Sequence, residues 1–565
     1  MPGSTRQTGV TAEPPPDTAP TQPRPIPRPG TRSGRAARRC APALAAALVL
    51  TGCAGEPTAS PGPPLANAAR TASAPTPVPI AWSECGPNLD CATVWVPLEY
   101  TEPDGKRIPL AVKRHRATDP AQRIGSLFIN PGGPGVPATD TIESIDPSSD
   151  AGPYSPALLA RFDIIGMDPR GVGDSGAVRC LTDEQRADVA AADLDPTVPG
   201  GKPLPALLAD ATTFTGGCLA HQSPEFLASL STDNVARDMD QLRAALGEEQ
   251  ITYYGASYGT VVGPMYATLF PDRVRQMVID APVDTNLWQT DPLKLLDDVS
   301  RSNEQTLDAW FETCRTEGPQ VCPFGNGDPE AAFDALITQL EAQPLQVPPV
   351  EGLTPGGTLD GAVALEAVRA GAGVQQLWPT LTAGLLAAQQ GDGRLLHFLV
   401  SNVTVAPFGG PYAILQEPHT AVRCADWPTP TDIAAHTAAA TEIAERDKRL
   451  ASRAGYSALN CALWPAPNED RFTGPLTGAG APPILVVGGR VDNVSPYHWA
   501  EAMVETMDNG VLLTREGVGH TSYRRSGPCI DAAVDATLIN GDLPADGTVC
   551  DVSPGTTKPP GTNGK

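Results

Sequence analysis

The pentapeptide Gly255-Ala256-Ser257-Tyr258-Gly259 falls directly between a β-branched and aromatic run, Ile251-Thr252-Tyr253-Tyr254, and a segment with helical patterning from Thr260 to Phe270. A backbone that passes from strand to helix in so few residues must turn sharply, which strains the dihedrals of Ser257 and needs the glycines on either side for close backbone approach. The hydroxyl then stands at the carboxyl end of a sheet, and the helix N-terminus behind it favours developing negative charge. Ser257 is therefore the candidate nucleophile, and the chain is limited to folds that deliver a strand into a helix at a shared edge.

The remaining apolar runs fit that limit. Strands are expected at Thr93–Val96, Ile108–Val112, Ser126–Ile129, Phe162–Ile165, Ile251–Tyr254 and Met277–Ile279, then much later at Ile484–Val487 and Val511–Leu513. Short β-branched runs alternating with helical patterns indicate a mainly parallel sheet covered by helices on both faces. One helix is explicit: Val235, Met239, Leu242 and Leu246 share a face, Ser231 and Thr232 are placed to cap its start, and Gly247 ends it. Between residues 288 and 416 strand signals fade and helical stretches such as Glu330–Glu341 and Leu359–Ala370 take over, broken by Pro/Gly segments such as Pro344–Gly357. This reads as a helical cap inserted between a core segment 79–287 and a core segment 417–552.

A serine hydroxyl is barely ionised at neutral pH and needs an imidazole base whose tautomer is fixed by an acid. Asp492 follows the run Ile484–Val487 through Gly488-Gly489-Arg490-Val491, and His520 follows Val511–Leu513 through a Gly-rich turn. Serine, then acid, then histidine on loops at strand ends is the order of the α/β-hydrolase fold. His498 lies too near Asp492, at the start of the next helix. His115, His221, His397, His419 and His436 lack a strand-end setting and read as surface or packing residues. The plainer reading of Asp492 is a turn or cap aspartate. For the oxyanion of acyl transfer, the Tyr258 N–H supplies one donor, and the loop Asn130-Pro131-Gly132-Gly133-Pro134-Gly135 after an early strand supplies the second, best from Gly133.

As an ordered set, Asn130–Gly135, Asp168–Ser175, Gly255–Thr260, Pro271–Val274, Asp492–Pro496 and Gly519–Tyr523 resemble the secreted tripeptidyl aminopeptidases, relatives of proline iminopeptidase, over about Trp82 to Cys550. The resemblance implies an α/β-hydrolase fold, release of short peptides from a free N-terminus, and no metal or organic cofactor. It carries Ser257, Asp492 and His520 onto the triad, and Tyr258 and Gly133 onto the oxyanion hole. One departure is Val136-Pro137-Ala138 after the oxyanion loop, where relatives continue with Gly and Ser; Pro137 stiffens that stretch. An aminopeptidase must also neutralise the substrate ammonium, and the cap holds several acids for this, among them Glu304, Asp308, Glu312 and Asp334. Fold and triad do not choose between amide and ester, so an exported esterase or lipase-like hydrolase is the alternative, and a catalytically silent surface lipoprotein a third.

Export is indicated twice. The first 52 residues hold a Pro- and Arg-rich stretch, Arg38-Arg39, and an apolar run Ala41–Leu50, the layout of a signal peptide. That run is too short to span a bilayer as a mature helix. It ends in Leu50-Thr51-Gly52-Cys53, a lipobox pattern that would lipidate Cys53 and anchor the protein to the outer face of the bacterial cell membrane. Residues 53–78, rich in Pro, Ala and Thr, read as a tether, and 553–565 as a disordered tail. Apart from Cys40 and Cys53, ten cysteines remain. Pairing neighbours in order gives Cys85 with Cys91, Cys180 with Cys218, Cys314 with Cys322, Cys424 with Cys461, and Cys529 with Cys550, though spacing does not fix connectivity. They form no CxxC pair and no Cys/His cluster of a metal site. The net charge of −24 argues against a nucleic-acid partner. Oligomeric state is not legible.

Overall fold

The computed structural model describes residues 79–149, 151–182, 185, 202–350, 354, 356–403, 412–450 and 455–551. The signal segment, Cys53, the tether and the C-terminal tail lie outside the described residues.

The strands are β1 (Ser83–Gly86), β2 (Leu89–Pro97), β3 (Arg107–His115), β4 (Gly125–Asn130), β5 (Phe162–Met167), β6 (Ile251–Ala256), β7 (Val274–Asp280), β8 (Leu345–Val347), β9 (Gly357–Leu359), β10 (Ile484–Val491), β11 (Gly510–Val518) and β12 (Thr548–Cys550). All but β8 and β9 join one sheet in the order β1-β2-β3-β5-β4-β6-β7-β10-β11-β12. From β5 to β12 every neighbouring pair is parallel, while β1, β2 and β3 add an antiparallel edge. This is the α/β-hydrolase fold. All eight strands expected from the sequence are present. β1, β12 and the β8–β9 hairpin were not foreseen, because each is three or four residues long and carries too little pattern to register.

The central strands are apolar on both faces because both faces are covered. Leu127, Ile129, Ile164, Tyr254, Val278, Leu485 and Val487 enter one buried cluster, and their chain neighbours Phe128, Ile165, Tyr253, Met277, Ile279, Ile484 and Val486 enter the other. The period of two in a strand thus feeds two cores from one run. Helix α1 (Ala138–Glu143) follows β4, α2 (Thr232–Ala245) precedes β6, and α3 (Gly259–Leu269) follows it. In α2 the expected apolar face is buried at Val235, Met239 and Leu242. Its start differs from the expectation: the Ser231 hydroxyl turns to Asp233 at 2.6 Å, and the Thr232 N–H is capped by Asp426 at 2.8 Å, almost two hundred residues downstream.

Between β7 and β10 the chain forms helices, among them α4 (Pro292–Glu317), α5 (Gly361–Ala372) and α6 (Tyr412–Asp426). Trp310, Phe311, Phe324, Phe333, Leu365, Val368 and Leu381 give this region a hydrophobic core of its own. Five disulfides are present among the described residues: Cys85–Cys91, Cys180–Cys218, Cys314–Cys322, Cys424–Cys461 and Cys529–Cys550. No helix among the described residues is long and apolar enough to cross a membrane.

Candidate active site

Ser257 occupies the turn between β6 and α3 with φ of 54°, a left-handed conformation that a non-glycine residue adopts only where the surroundings enforce it. The enforcement is visible: the Ser257 N–H donates to the Asp280 carbonyl at the end of β7 at 2.9 Å, and the Ser257 carbonyl accepts from Thr260. Glycine is required around the turn, since a Cβ on Gly255 would lie 2.5 Å from both the Gly259 carbonyl and the Tyr253 ring. Ser257 is nearly buried, 9% exposed.

Asp492 and His520 stand at the carboxyl ends of β10 and β11, two neighbouring parallel strands. His520 Nδ1 lies 3.0 Å from both carboxylate oxygens of Asp492. Asp492 is completely buried at its side chain and His520 a quarter exposed, so the acid is fixed and the imidazole reaches outward. Asp492 Oδ1 also accepts from the Val494 and Ser495 N–H groups at 2.8 Å each. The turn aspartate and the histidine-orienting acid are therefore the same residue, and the two readings of Asp492 are not alternatives.

Asp280 connects these parts and was missed in the sequence. It is fully buried, its carboxylate accepts from the Ser522 N–H at 2.9 Å, the Tyr523 N–H at 2.9 Å and the Tyr254 hydroxyl at 2.9 Å. One residue thus holds the serine turn through its carbonyl and the histidine loop through its carboxylate. Its only sequence signal is an aspartate ending an apolar strand. Arg515, also buried, donates to the Gly519 carbonyl and to the Ser522 hydroxyl at 3.1 Å, gripping the same loop from β11.

The Asn130–Gly135 loop passes over the serine turn. A Cβ on Gly132 would meet the Ala256 carbonyl at 2.7 Å and Ser257 Cβ at 2.8 Å, so only glycine permits this approach. The Gly132 N–H is spent on Asn130 Oδ1 at 2.9 Å. Among the described residues neither the Gly133 N–H nor the Tyr258 N–H donates a hydrogen bond. Downstream, Asp168 accepts from the Thr139 N–H at 2.9 Å and its hydroxyl at 3.0 Å, pinning the first turn of α1 behind Pro137. Burial raises Asp168 to about 6 despite those hydrogen bonds. Arg170, two residues on, is fully buried against Asp238 at 2.7 Å and donates to the Pro97, Leu98 and Ser229 carbonyls. The Asp168–Ser175 motif is thus structural.

The remaining histidines are placed as follows. His498 bonds Asp298 at 3.1 Å, His221 the Gly217 carbonyl, and His436 the Pro430 carbonyl. His115 is buried beside Asn88, and His397 meets Thr354 at 3.1 Å. His419 is partly buried and does more than pack: its Nδ1 lies 3.1 Å from the Pro134 carbonyl of the glycine loop. Among the described residues no group of three or more His, Cys, Asp or Glu side chains is arranged to hold a metal ion.

The arrangement is suited to acyl transfer: a serine on a strained turn, an acid-oriented imidazole, and the Tyr258 and Gly133 N–H groups, which among the described residues donate to no other group. Comparison with known proteins agrees with the geometry. The family described as "alpha/beta hydrolase fold" matches residues 125–320, and the family described as "TAP-like protein" matches 448–550, the segment with the acid and the histidine. The serine protease Hip1 of Mycobacterium tuberculosis is 30% identical over 541 residues, covering 90% of this chain and 96% of that protein. Carboxylesterase B of the same species is 32% identical over 519 residues, covering 86% and 94%. Tripeptidyl aminopeptidase of Streptomyces lividans is 29% identical over 488 residues, covering 83% and 86%. With relatives this similar along nearly their whole length, and with both family segments in place, the chain belongs to the TAP-like branch of the α/β-hydrolase family.

Proposed function

We propose that this protein is an exported serine aminopeptidase that releases short peptides, tripeptides foremost, from free N-termini. The observations that support the reading are the Asp492–His520 pair and the strained Ser257 turn, linked through Asp280, in a chain whose relatives include proteins named serine protease and tripeptidyl aminopeptidase. Ser257 Oγ attacks the scissile carbonyl while His520 Nε2 takes its proton, and Asp492 holds the Nδ1–H and stabilises the imidazolium. The oxyanion is held by the Tyr258 and Gly133 N–H groups. The imidazolium returns the proton to the departing amine, and a water activated by His520 then releases the peptide from Ser257.

The cap acids differ in their availability for the substrate ammonium. Glu312 is paired with Arg315 at 2.7 Å and Asp334 with Arg449 at 2.8 Å, while Glu304 accepts from the Leu450 N–H at 2.9 Å. Burial raises Asp308 and Glu304 from the ordinary carboxylate range. Export and anchoring through Cys53 are supported by the lipobox pattern and by five disulfides of the kind that persist in oxidising compartments. Cys53→Ala is expected to move the protein from the membrane fraction to the soluble one; persistence in the membrane fraction would remove the anchor.

A second reading, an exported esterase, is favoured by the 32% identity to carboxylesterase B. Hydrolysis of a matched set of chromogenic peptides, free and N-acetylated, together with a simple ester, by wild type and Ser257→Ala separates the two. Cleavage restricted to the free-amine peptides and abolished by the substitution supports the aminopeptidase. Cleavage of the ester with every peptide intact would overturn it in favour of the esterase.

A further inference from the structure

The glycine loop carries the Gly133 N–H and the serine turn the Tyr258 N–H, and side chains of one helix, α6, reach Pro134 of the loop and, through Thr232, the Tyr258 hydroxyl. His419, Arg423 and Asp426 lie on α6 at spacings of four and three that keep them on one side of the helix, and Trp427 follows its end. The acceptor-only Pro134 carbonyl requires that His419 Nδ1 carry the proton. His419 Nε2 is then the acceptor for the Arg423 guanidinium, 3.0 Å away. Burial, reinforced by that guanidinium, pushes His419 down to about 3, consistent with a neutral ring.

Arg423 in turn lies over the Trp427 ring at 3.8 Å. Trp427 packs edge-on against Trp288 with centroids 5.3 Å apart, and Trp288 packs on Tyr258 at 5.5 Å. Asp426 accepts from Trp288 Nε1 at 2.9 Å and from the Thr232 hydroxyl at 2.5 Å, and that hydroxyl meets the Tyr258 hydroxyl at 2.7 Å. Tyr258 supplies one N–H and the loop one residue before Pro134 supplies the other.

We propose that α6 is the brace of the oxyanion hole, with His419 as a positioning residue that fixes the Gly133 N–H through the Pro134 carbonyl, while Asp426 and Trp427 fix Tyr258 through Thr232 and Trp288. The inference rests on the acyl-transfer reading of Ser257 and deepens it. It requires no free amine or peptide, because an oxyanion forms in ester and amide hydrolysis alike. His419 touches no reacting atom; its substitution acts by letting the loop drift, which weakens binding of the transition state and not of the substrate.

The test uses the full chain, a p-nitrophenyl ester and a free-amine tripeptide arylamide, with wild type, His419→Leu, His419→Asn and Ser257→Ala. His419→Leu removes the donor, and His419→Asn keeps an N–H of similar reach. For the substrate that wild type hydrolyses, kcat is expected to fall about 10- to 100-fold in the Leu variant with KM changed less than about two-fold, and to recover to within about five-fold of wild type in the Asn variant. A folded Leu variant with kcat within about two-fold of wild type, a loss confined to KM, or an Asn variant as slow as the Leu one would overturn the proposal. Should the Leu variant not fold, nitrogen-15 NMR of wild type decides: a His419 ring protonated at Nδ1 only at pH 7 supports the brace, and an Nε2–H or doubly protonated ring refutes it. Activity surviving in Ser257→Ala would mark failure of the acyl-transfer reading itself, a result the His419 variants cannot produce.

Discussion

At the scale of single residues, the site depends on carboxylates that do different work at neighbouring strand ends. Asp492 orients an imidazole and Asp280 orients the loop that bears it. Asp492→Asn keeps the turn but presents an amide to His520 Nδ1, which favours the wrong tautomer; kcat is expected to fall by about 10⁴-fold with the fold retained, as read by circular dichroism beside the kinetics. Asp280→Asn replaces an acceptor of two backbone N–H groups by a group that must turn a donor toward one of them. A loss of roughly 1–3 kcal/mol in stability accompanies a smaller fall in kcat. Chemical denaturation of both variants gives the check: full stability in the Asp280 variant would mean that the clamp across Ser257 and Ser522 is dispensable. Glycines act here by absence, and Gly132 is the clearest case because any side chain there would occupy the space of Ser257.

At the scale of elements, the helical region between β7 and β10 is stitched to the loops that carry Asp492 and His520. Val374, just after α5, forms a β-bridge with Gly519 beside the histidine, and Ser302 of α4 donates to the Asp492 carbonyl. A Cβ at Gly373 would stand 2.7 Å from the Asn493 amide, next to the acid. Gly373→Ala is therefore expected to lower kcat through a displaced acid loop, with a melting temperature changed far less than the rate; equal activity would show that the loop tolerates the push. Disulfides act on elements unequally. Cys180–Cys218 and Cys424–Cys461 close loops of 38 and 37 residues, against six for Cys85–Cys91. Chain entropy assigns the long loops about 4 kcal/mol each and the short one about 2. Reduction is expected to lower the melting temperature, with Cys424→Ala/Cys461→Ala costing more than Cys85→Ala/Cys91→Ala. Cys424 is on α6, so this pair also reports on the oxyanion brace.

At the scale of the whole molecule, buried acids set the dependence of stability on pH. Burial raises both Asp168 and Asp426 to about 6 from 3.8. Between those values the native state holds protons that the unfolded chain has released, so stability falls as pH rises through this window and the cost is complete above about 6. Asp298 behaves oppositely: burial would raise it, but hydrogen bonds from His498, Lys294 and Trp499 prevail and draw it to about 2. Its contribution is present above 3.8 and is lost as pH falls through 2. Together these groups favour greatest stability at about pH 3.5, where the gain from Asp298 and the cost from the two raised acids balance, with the melting temperature declining from there toward pH 6.5. A midpoint that climbs steadily across that range would contradict the assignment of Asp168 and Asp426.

The sequence by itself determined the sheet and its order of functional segments, because β-branched runs, a glycine-flanked serine and a late acid and histidine are local signals with a period of two or a fixed spacing. Ser257, Asp492 and His520 were legible as candidates for the same reason, each following an apolar strand. What only the tertiary structure decided are contacts between residues far apart in the chain: Asp426 capping α2, Asp280 gripping the loop after His520, and His419 reaching the Pro134 carbonyl. His419 read as a surface or packing histidine because its partner lies 285 residues away. An aspartate or histidine has no periodicity to betray its role; its meaning comes from the donors and acceptors that folding brings within about 3 Å.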